Sequence, residues 1–262
     1  MSFDVEQHVL YNIANAPVRD YPFPHFFVHP VFPEDFYREL LGRLPGLDAY
    51  RPITETGSVE PGAYAERFIT SLEDVEQDER NRKAGAFWET LRAWLGGPTF
   101  GNLIMQKFRA GIVQRYGEQT RLTTASDIRL VRDFTHYAIP PHTDAPHKLA
   151  SLLFYLPADE TQVALGTSIY AHEDPRFRCE GRSHHTFSGF RKVASAPYLP
   201  NSMFAFLKTD AAFHGVERIE VENVRRDLML YNIYVKKIAT NHIEPGATYP
   251  RSAPVWPWQS VQ

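Results

Sequence analysis

The chain has 262 residues, 43% of them hydrophobic and 23% charged, with a net charge of −3, the composition of an ordinary globular protein. Neither lysine nor arginine dominates any long stretch, which leaves no electrostatic case for a nucleic-acid or anionic-membrane partner. There is no run of about 18 apolar residues and no basic segment followed by an apolar one at the start, so a soluble, cytoplasmic protein is expected.

After a short extended segment at 22–32, the first hundred residues read as mostly helical. Pro33 suits the first turn of a helix whose apolar positions are Phe36, Leu40, Leu41 and Leu44, and Pro45 stops it. Ser71 with Asp74 three residues later resembles a capping box. The helix that follows is expected to bury Phe87, Trp88, Leu91, Trp94 and Leu95 on one face. Ile104, Phe108, Ile112 and Tyr116 recur every fourth position and predict one further helix, weakened by Gly101 and Gly111.

From about Thr120 the texture changes to short extended runs. Ile128, Leu130, Arg132 and Phe134 alternate with Arg129, Val131, Asp133 and Thr135. Further runs follow at 149–156, 162–170, 192–196, 202–207 and 225–235, separated by segments rich in Pro, Gly, Asp and Asn. This is the pattern of an antiparallel sandwich or barrel. Helices first and strands afterwards predict one α+β domain over 1–262. In it, 1–118 gives mainly helical support, 119–238 the barrel core, and 239–262 a Pro-rich tail that packs loosely or caps the barrel.

Cys179 is the only cysteine, which rules out an intramolecular disulfide and a thiolate cluster. A metal would need nitrogen and oxygen ligands, and eleven histidines are a high count. The central motif is Pro141-His142-Thr143-Asp144. In an extended segment, residues two apart project to the same side, so His142 and Asp144 can grip one ion. His214, seventy residues on, can supply the third ligand. Two imidazoles and a carboxylate on one face leave the opposite face of an octahedral ion open, as in non-haem iron(II) oxygenases.

The order of features around the motif is more specific than the triplet. A strand-like segment ends in Pro140-Pro141, and a second runs Ser151-Leu152-Leu153-Phe154-Tyr155-Leu156-Pro157, before Gly166-Thr167-Ser168-Ile169-Tyr170. Pro200-Asn201 turns the chain into 202–207, just before His214. Eleven residues later comes Arg225-Arg226-Asp227-Leu228-Met229-Leu230-Tyr231. Over roughly 128–237 the sequence resembles the 2-oxoglutarate and iron(II)-dependent oxygenase superfamily, especially its prolyl-hydroxylase-like branch.

That resemblance implies a double-stranded β-helix (jelly roll) buttressed by N-terminal helices. It implies iron(II) on His142, Asp144 and His214, with 2-oxoglutarate and O2 as cosubstrates, and it admits stimulation by ascorbate. It places the cosubstrate's distal carboxylate on Arg225 and Tyr155, with Arg225 preferred to Arg226 because Arg225, Asp227, Met229 and Tyr231 share one strand face. A buried carboxylate needs such a partner. Oxidative decarboxylation to succinate would be coupled to hydroxylation of a small-molecule, amino-acid or peptidyl substrate. Asp144 favours hydroxylation, or a related desaturation, over the halogenation found where members have a small residue there.

Two departures stand out. Asp227 occupies a position where many members have serine, and its charge must pair with an arginine or turn away. Asn201 replaces a common glycine but tolerates the left-handed conformation. His136, His147, His172, His184 and His185 read as loop residues or substrate contacts, and the basic segment 171–190, with Arg176, Arg178, Arg182, His184 and His185, reads as a mobile lid. A cupin-like metalloprotein without 2-oxoglutarate chemistry, or a non-catalytic ligand-binding module on the same barrel, are the alternatives.

Overall fold

The computed structural model describes residues 3–56, 64–77, 82–181 and 183–240. The expected tail therefore lies almost wholly outside the described residues, as does Arg182. The helices are α1 (Phe3–Asn15), α2 (Glu34–Gly42), α3 (Leu72–Gln77), α4 (Arg82–Leu95), α5 (Pro98–Lys107) and α6 (Arg109–Tyr116). The strands are β1 (His25–Val28), β2 (Arg51–Pro52), β3 (Arg67–Ser71), β4 (Thr120–Phe134), β5 (Ile139–His142) and β6 (Lys148–Tyr155). They continue with β7 (Thr167–His172), β8 (Phe190–Ala196), β9 (Ser202–Leu207), β10 (His214–Val216) and β11 (Arg225–Thr240). None of the described helices is long and apolar enough to cross a membrane.

Local chemistry accounts for the boundaries. The Tyr37 N–H closes the first turn of α2 on the Pro33 carbonyl at 2.9 Å, a role open to proline because it lacks only the donor. The Ser71 hydroxyl accepts the Asp74 N–H at 3.0 Å, so serine caps a helix as expected, but the short α3 and not the separate α4 that carries Trp88, Leu91 and Leu95. Trp88, Leu91 and Leu95 of α4 are fully buried. Where one helix was expected through Ile104 and Tyr116, there are two, because Phe108 leaves helical geometry with ψ near 12° between α5 and α6.

All strand pairing is antiparallel, in a seven-stranded sheet ordered β1-β9-β6-β11-β4-β3-β2 and a four-stranded sheet ordered β5-β10-β7-β8. This is the jelly-roll core that the resemblance implied. The helical front contributes more to it than expected, since β1, β2 and β3 all join the large sheet. One face of that sheet carries Leu130, Leu152, Phe154, Ala205, Met229, Tyr231 and Ile233, which form a single apolar core with Trp88, Leu91, Phe100 and Ile104 of the helices. Full burial of each large side chain contributes about 1.5–3 kcal/mol.

The opposite face looks toward the small sheet and is graded. Arg226, Asp133 and Arg67 stand in one row across β11, β4 and β3. The next row, Tyr155, Leu228, Val131 and Ile69, is apolar apart from one hydroxyl. Leu153, Leu230 and Arg129 follow, and then Ser151, Asn232 and Asp127. The two sheets enclose a cavity of about 990 Å³.

Candidate active site

His142 ends β5 and His214 begins β10, and the two residues are paired directly across the ladder. Their rings stand side by side, centroids 4.3 Å apart. Asp144 lies two residues beyond His142, and one ligand atom from each of the three falls within 4.8 Å of the others. Among the described residues this is the single such cluster of His, Cys, Asp or Glu. One device orients both imidazoles: Nδ1 lies 3.0 Å from a carbonyl oxygen two residues earlier, Pro140 for His142 and Ala212 for His214. With the Nδ1 proton donated there, Nε2 keeps its lone pair for a metal.

Asp144 is held at both oxygens. The Ser151 hydroxyl donates to Oδ2 at 2.6 Å and the Lys148 ammonium to Oδ1 at 3.2 Å. Burial first, and then the adjacent His214, hold His142 well below the ordinary imidazole value, and burial lowers His214 as well. Burial alone would raise the Asp144 carboxyl. Lys148, His214, His142 and the Ser151 hydroxyl outweigh it and keep the group below the usual carboxylate range. Two neutral imidazoles and an ionised carboxylate are a donor set suited to iron(II).

A second polar cluster lines the same cavity. Arg226 is fully buried; its Nη1 donates to Asp133 Oδ2 and its Nε to the Leu165 carbonyl, each at 2.6 Å. Its Nη2 is buried without a hydrogen-bond partner. Arg67 grips the same carboxylate, Nε to Oδ1 at 2.7 Å and Nη2 to Oδ2 at 2.9 Å, and its guanidinium lies over the Tyr137 ring. The Tyr137 hydroxyl is another buried polar atom without a partner. Two guanidiniums share one carboxylate, leaving one positive charge in surplus and two unspent donors. A carboxylate from a ligand satisfies all of these, so the residues fit the distal end of 2-oxoglutarate.

The strand register separates the two candidate arginines. Arg225 was expected on the cavity side. Instead its side chain is 53% exposed and its Nε bonds Asp227 Oδ2 at 2.5 Å, while Arg226, 0% exposed, lines the cavity. The Asp227 question resolves with it: Asp227 lies on the far face, held between Arg225 and Arg132 (2.7 Å). Tyr155 is fully buried beside Arg226, and its hydroxyl donates to Thr167 Oγ1 at 2.7 Å. Thr167 in turn lines the cavity.

Sequence reasoning did not single out Lys148, Ser151, Thr167, Arg67, Asp133 or Tyr137 as site residues. Ser151 and Tyr155 alternate on one face of β6 and share a period-two signal; Tyr137 carries none. Of the other histidines, His147 and His184 line the cavity, and His184 bridges to His142 and is hydrogen-bonded to Tyr64. His172 and His185 instead join Phe177, Phe190 and Phe213 in a ring cluster. That cluster fastens the segment expected to be a lid, helped by Thr143 Oγ1 donating to the Cys179 carbonyl at 2.8 Å. Arg176 and Arg178 are spent on local partners, Asp174 and the Pro175 and Phe177 carbonyls.

No protein-family model matches the sequence, and no curated protein matches it either. Solved structures do. A prolyl hydroxylase from Trichoplax adhaerens, in complex with a hypoxia inducible factor oxygen degradation domain peptide, is 11% identical with a TM-score of 0.50, covering 88% of this chain and 89% of that one. A prolyl-4-hydroxylase from Pseudomonas putida is 14% identical with a TM-score of 0.46, over 88% and 99%. HygX from Streptomyces hygroscopicus, with nickel and 2-oxoglutarate bound, is 13% identical with a TM-score of 0.41, over 81% and 83%. The Trichoplax likeness shows the fold alone: a jelly roll of the prolyl-hydroxylase type.

Proposed function

We propose that the chain is a 2-oxoglutarate-dependent, non-haem iron(II) oxygenase that hydroxylates a second substrate, a small molecule, amino acid or peptidyl residue. The observation that carries this reading is one cavity with two complementary ends: a His142–Asp144–His214 cluster on one wall, and the unpaired Nη2 of a buried Arg226 on another. His142 and His214 would bind iron through Nε2, and Asp144 through a carboxylate oxygen. When bound, iron(II) and 2-oxoglutarate together use O2 to yield succinate, carbon dioxide and an oxygen atom for a substrate C–H bond.

The chain's own residues do the rest. Arg226 takes the distal carboxylate, with Tyr137 and Thr167 as further donors. Tyr155 acts behind Thr167, fixing that hydroxyl's direction. Leu228, Val131 and Leu153 separate the arginine row from the polar rows and exclude water between them. A cupin-like protein would need the triad but would have no use for a buried arginine with one free donor.

The test is anaerobic titration of the protein with iron(II) and then 2-oxoglutarate, followed by the metal-to-ligand absorption band, with succinate assayed on admission of O2. The band and 2-oxoglutarate-dependent succinate are expected in the wild type. Both should vanish in His214→Ala, together with most of the iron affinity. Full iron occupancy in that variant would dismiss the triad.

A further inference from the structure

The loop that carries Asp144 folds back so that Lys148 stands over it. The Lys148 N–H bonds the Ala145 carbonyl at 3.0 Å. One guanidinium, Arg115 of α6, holds the loop from behind, donating to the carbonyls of Pro146 (2.6 Å), Lys148 (2.9 Å) and Lys208 (2.9 Å). With its backbone fixed there, the Lys148 side chain enters the cavity, with 19% of its surface exposed against 11% for Asp144. Its Nζ lies 3.2 Å from Asp144 Oδ1 and 3.3 Å from Ser151 Oγ. Ser151 occupies the other carboxylate oxygen.

Two consequences follow from charge and geometry. A carboxylate with a donor on each oxygen is constrained to offer a metal one oxygen, not both, which preserves an open coordination position. An ammonium beside the ligand also repels a divalent ion and adds positive charge for any anion bound to that ion. We propose that Lys148 is a positioning residue that weakens the centre's grip on the metal and strengthens its grip on anionic co-ligands. This rests on the reading of His142, Asp144 and His214 as a metal site. The remaining cavity-lining cations are differently placed: Arg67 and Arg226 share Asp133, Arg129 pairs with Asp127, and the Lys236 ammonium lies over the Tyr234 ring.

The test uses cobalt(II) as the probe, titrated into the full-length metal-free chain and followed by its visible absorption. A unit charge about 6 Å from a divalent ion in a water-like dielectric corresponds to about a tenfold change in binding constant. Lys148→Met is therefore expected to bind cobalt(II) about tenfold more tightly than wild type, and the cobalt-loaded variant to bind 2-oxoglutarate several-fold more weakly. Lys148→Gln should move both affinities the same way, and Lys148→Arg, which keeps the charge, should stay near wild type in both. Equal or weaker cobalt(II) binding by Lys148→Met and Lys148→Gln, on a wild type that binds the ion, overturns the role of Lys148 alone. A wild type that does not bind cobalt(II), or binds it equally well as His214→Ala, removes the triad reading and this proposal with it.

Discussion

Asp133 has no exposed side-chain surface and serves two guanidiniums at once. Burying a carboxylate in this way is tolerable only because both oxygens are saturated by charged donors. Because Arg67 alone grips both oxygens, Asp133 stays paired when Arg226 is changed. Arg226→Ala should therefore fold, yet lose affinity for 2-oxoglutarate by two orders of magnitude or more, in line with about 3–5 kcal/mol for an unpaired buried charge. Arg226→Lys should recover part of it, returning the charge without the fork, and Arg225→Ala should change it little. The absorption-band titration measures all three, and a damaging Arg225→Ala would return the cosubstrate to the outer face. The sequence reading turned Arg225 toward the cavity, where the strand places Arg226 instead. β11 is buried on both faces, with Met229 and Tyr231 under the helices, and Leu228 and Leu230 in the apolar cluster on the side that faces the small sheet. Alternation therefore carried no contrast from which to choose.

The junction of β1, α2 and β9 turns on Asn201, whose φ of 54° is left-handed. Its Oδ1 accepts the Phe32 N–H, its Nδ2 donates to the Phe32 carbonyl, both at 2.8 Å, and its own carbonyl accepts the Val31 N–H at 2.9 Å. Asparagine does here what glycine cannot, since the side chain finishes the pairing that the backbone begins. Asn201→Gly should cost about 1–3 kcal/mol in denaturant-induced unfolding, for two buried hydrogen bonds lost with the turn intact. Asn201→Ala should cost about 1 kcal/mol more, for the left-handed strain. Equal stability of the two variants would mean that the turn relaxes out of that conformation.

At this scale β4, β6, β8, β9 and β11 were legible, because turn residues bracket their runs, whereas the run expected at 162–170 opens with a 3-10 turn at Val163–Leu165 before β7, and the three-residue β10 is too short to show a period. That His142 and Asp144 could meet on one side was legible because they sit two apart next to a strand. β2 and β3 were not: Arg51–Pro52 and Arg67–Ser71 are too short to show a period, and β3 is defined by β4 beside it. The break at Phe108 was hidden for a related reason. Phe108 is buried and keeps the four-residue spacing while leaving helical backbone geometry.

The whole molecule carries its site as a stored charge deficit. His142 and His214 are held neutral mainly by burial, below the ordinary value of 6.5. The unfolded chain therefore takes up protons as pH falls below about 6.5 while the folded chain does not. Their contribution to stability is present above that pH and is lost below it, at up to about 1.4 kcal/mol per histidine per pH unit. Urea unfolding of the metal-free protein should show a drop of about 1–3 kcal/mol between about pH 7.5 and 5.5, and bound metal should oppose it by mass action. A midpoint that does not move across that range would mean that the two rings are protonated in the fold.

The latch between Phe32 and Asn201 joins residues 169 positions apart, and β1 has no partner among the described strands except β9. On a ribosome adding about 5–20 residues per second, the first strand waits on the order of ten to thirty seconds for the segment that will cover it. Throughout that interval His25-Phe26-Phe27-Val28 is an apolar strand with both edges open, the kind of segment that pairs with a wrong neighbour. Recombinant yield should therefore respond to chaperone supply and to translation rate more sharply than the stability of the finished fold would suggest.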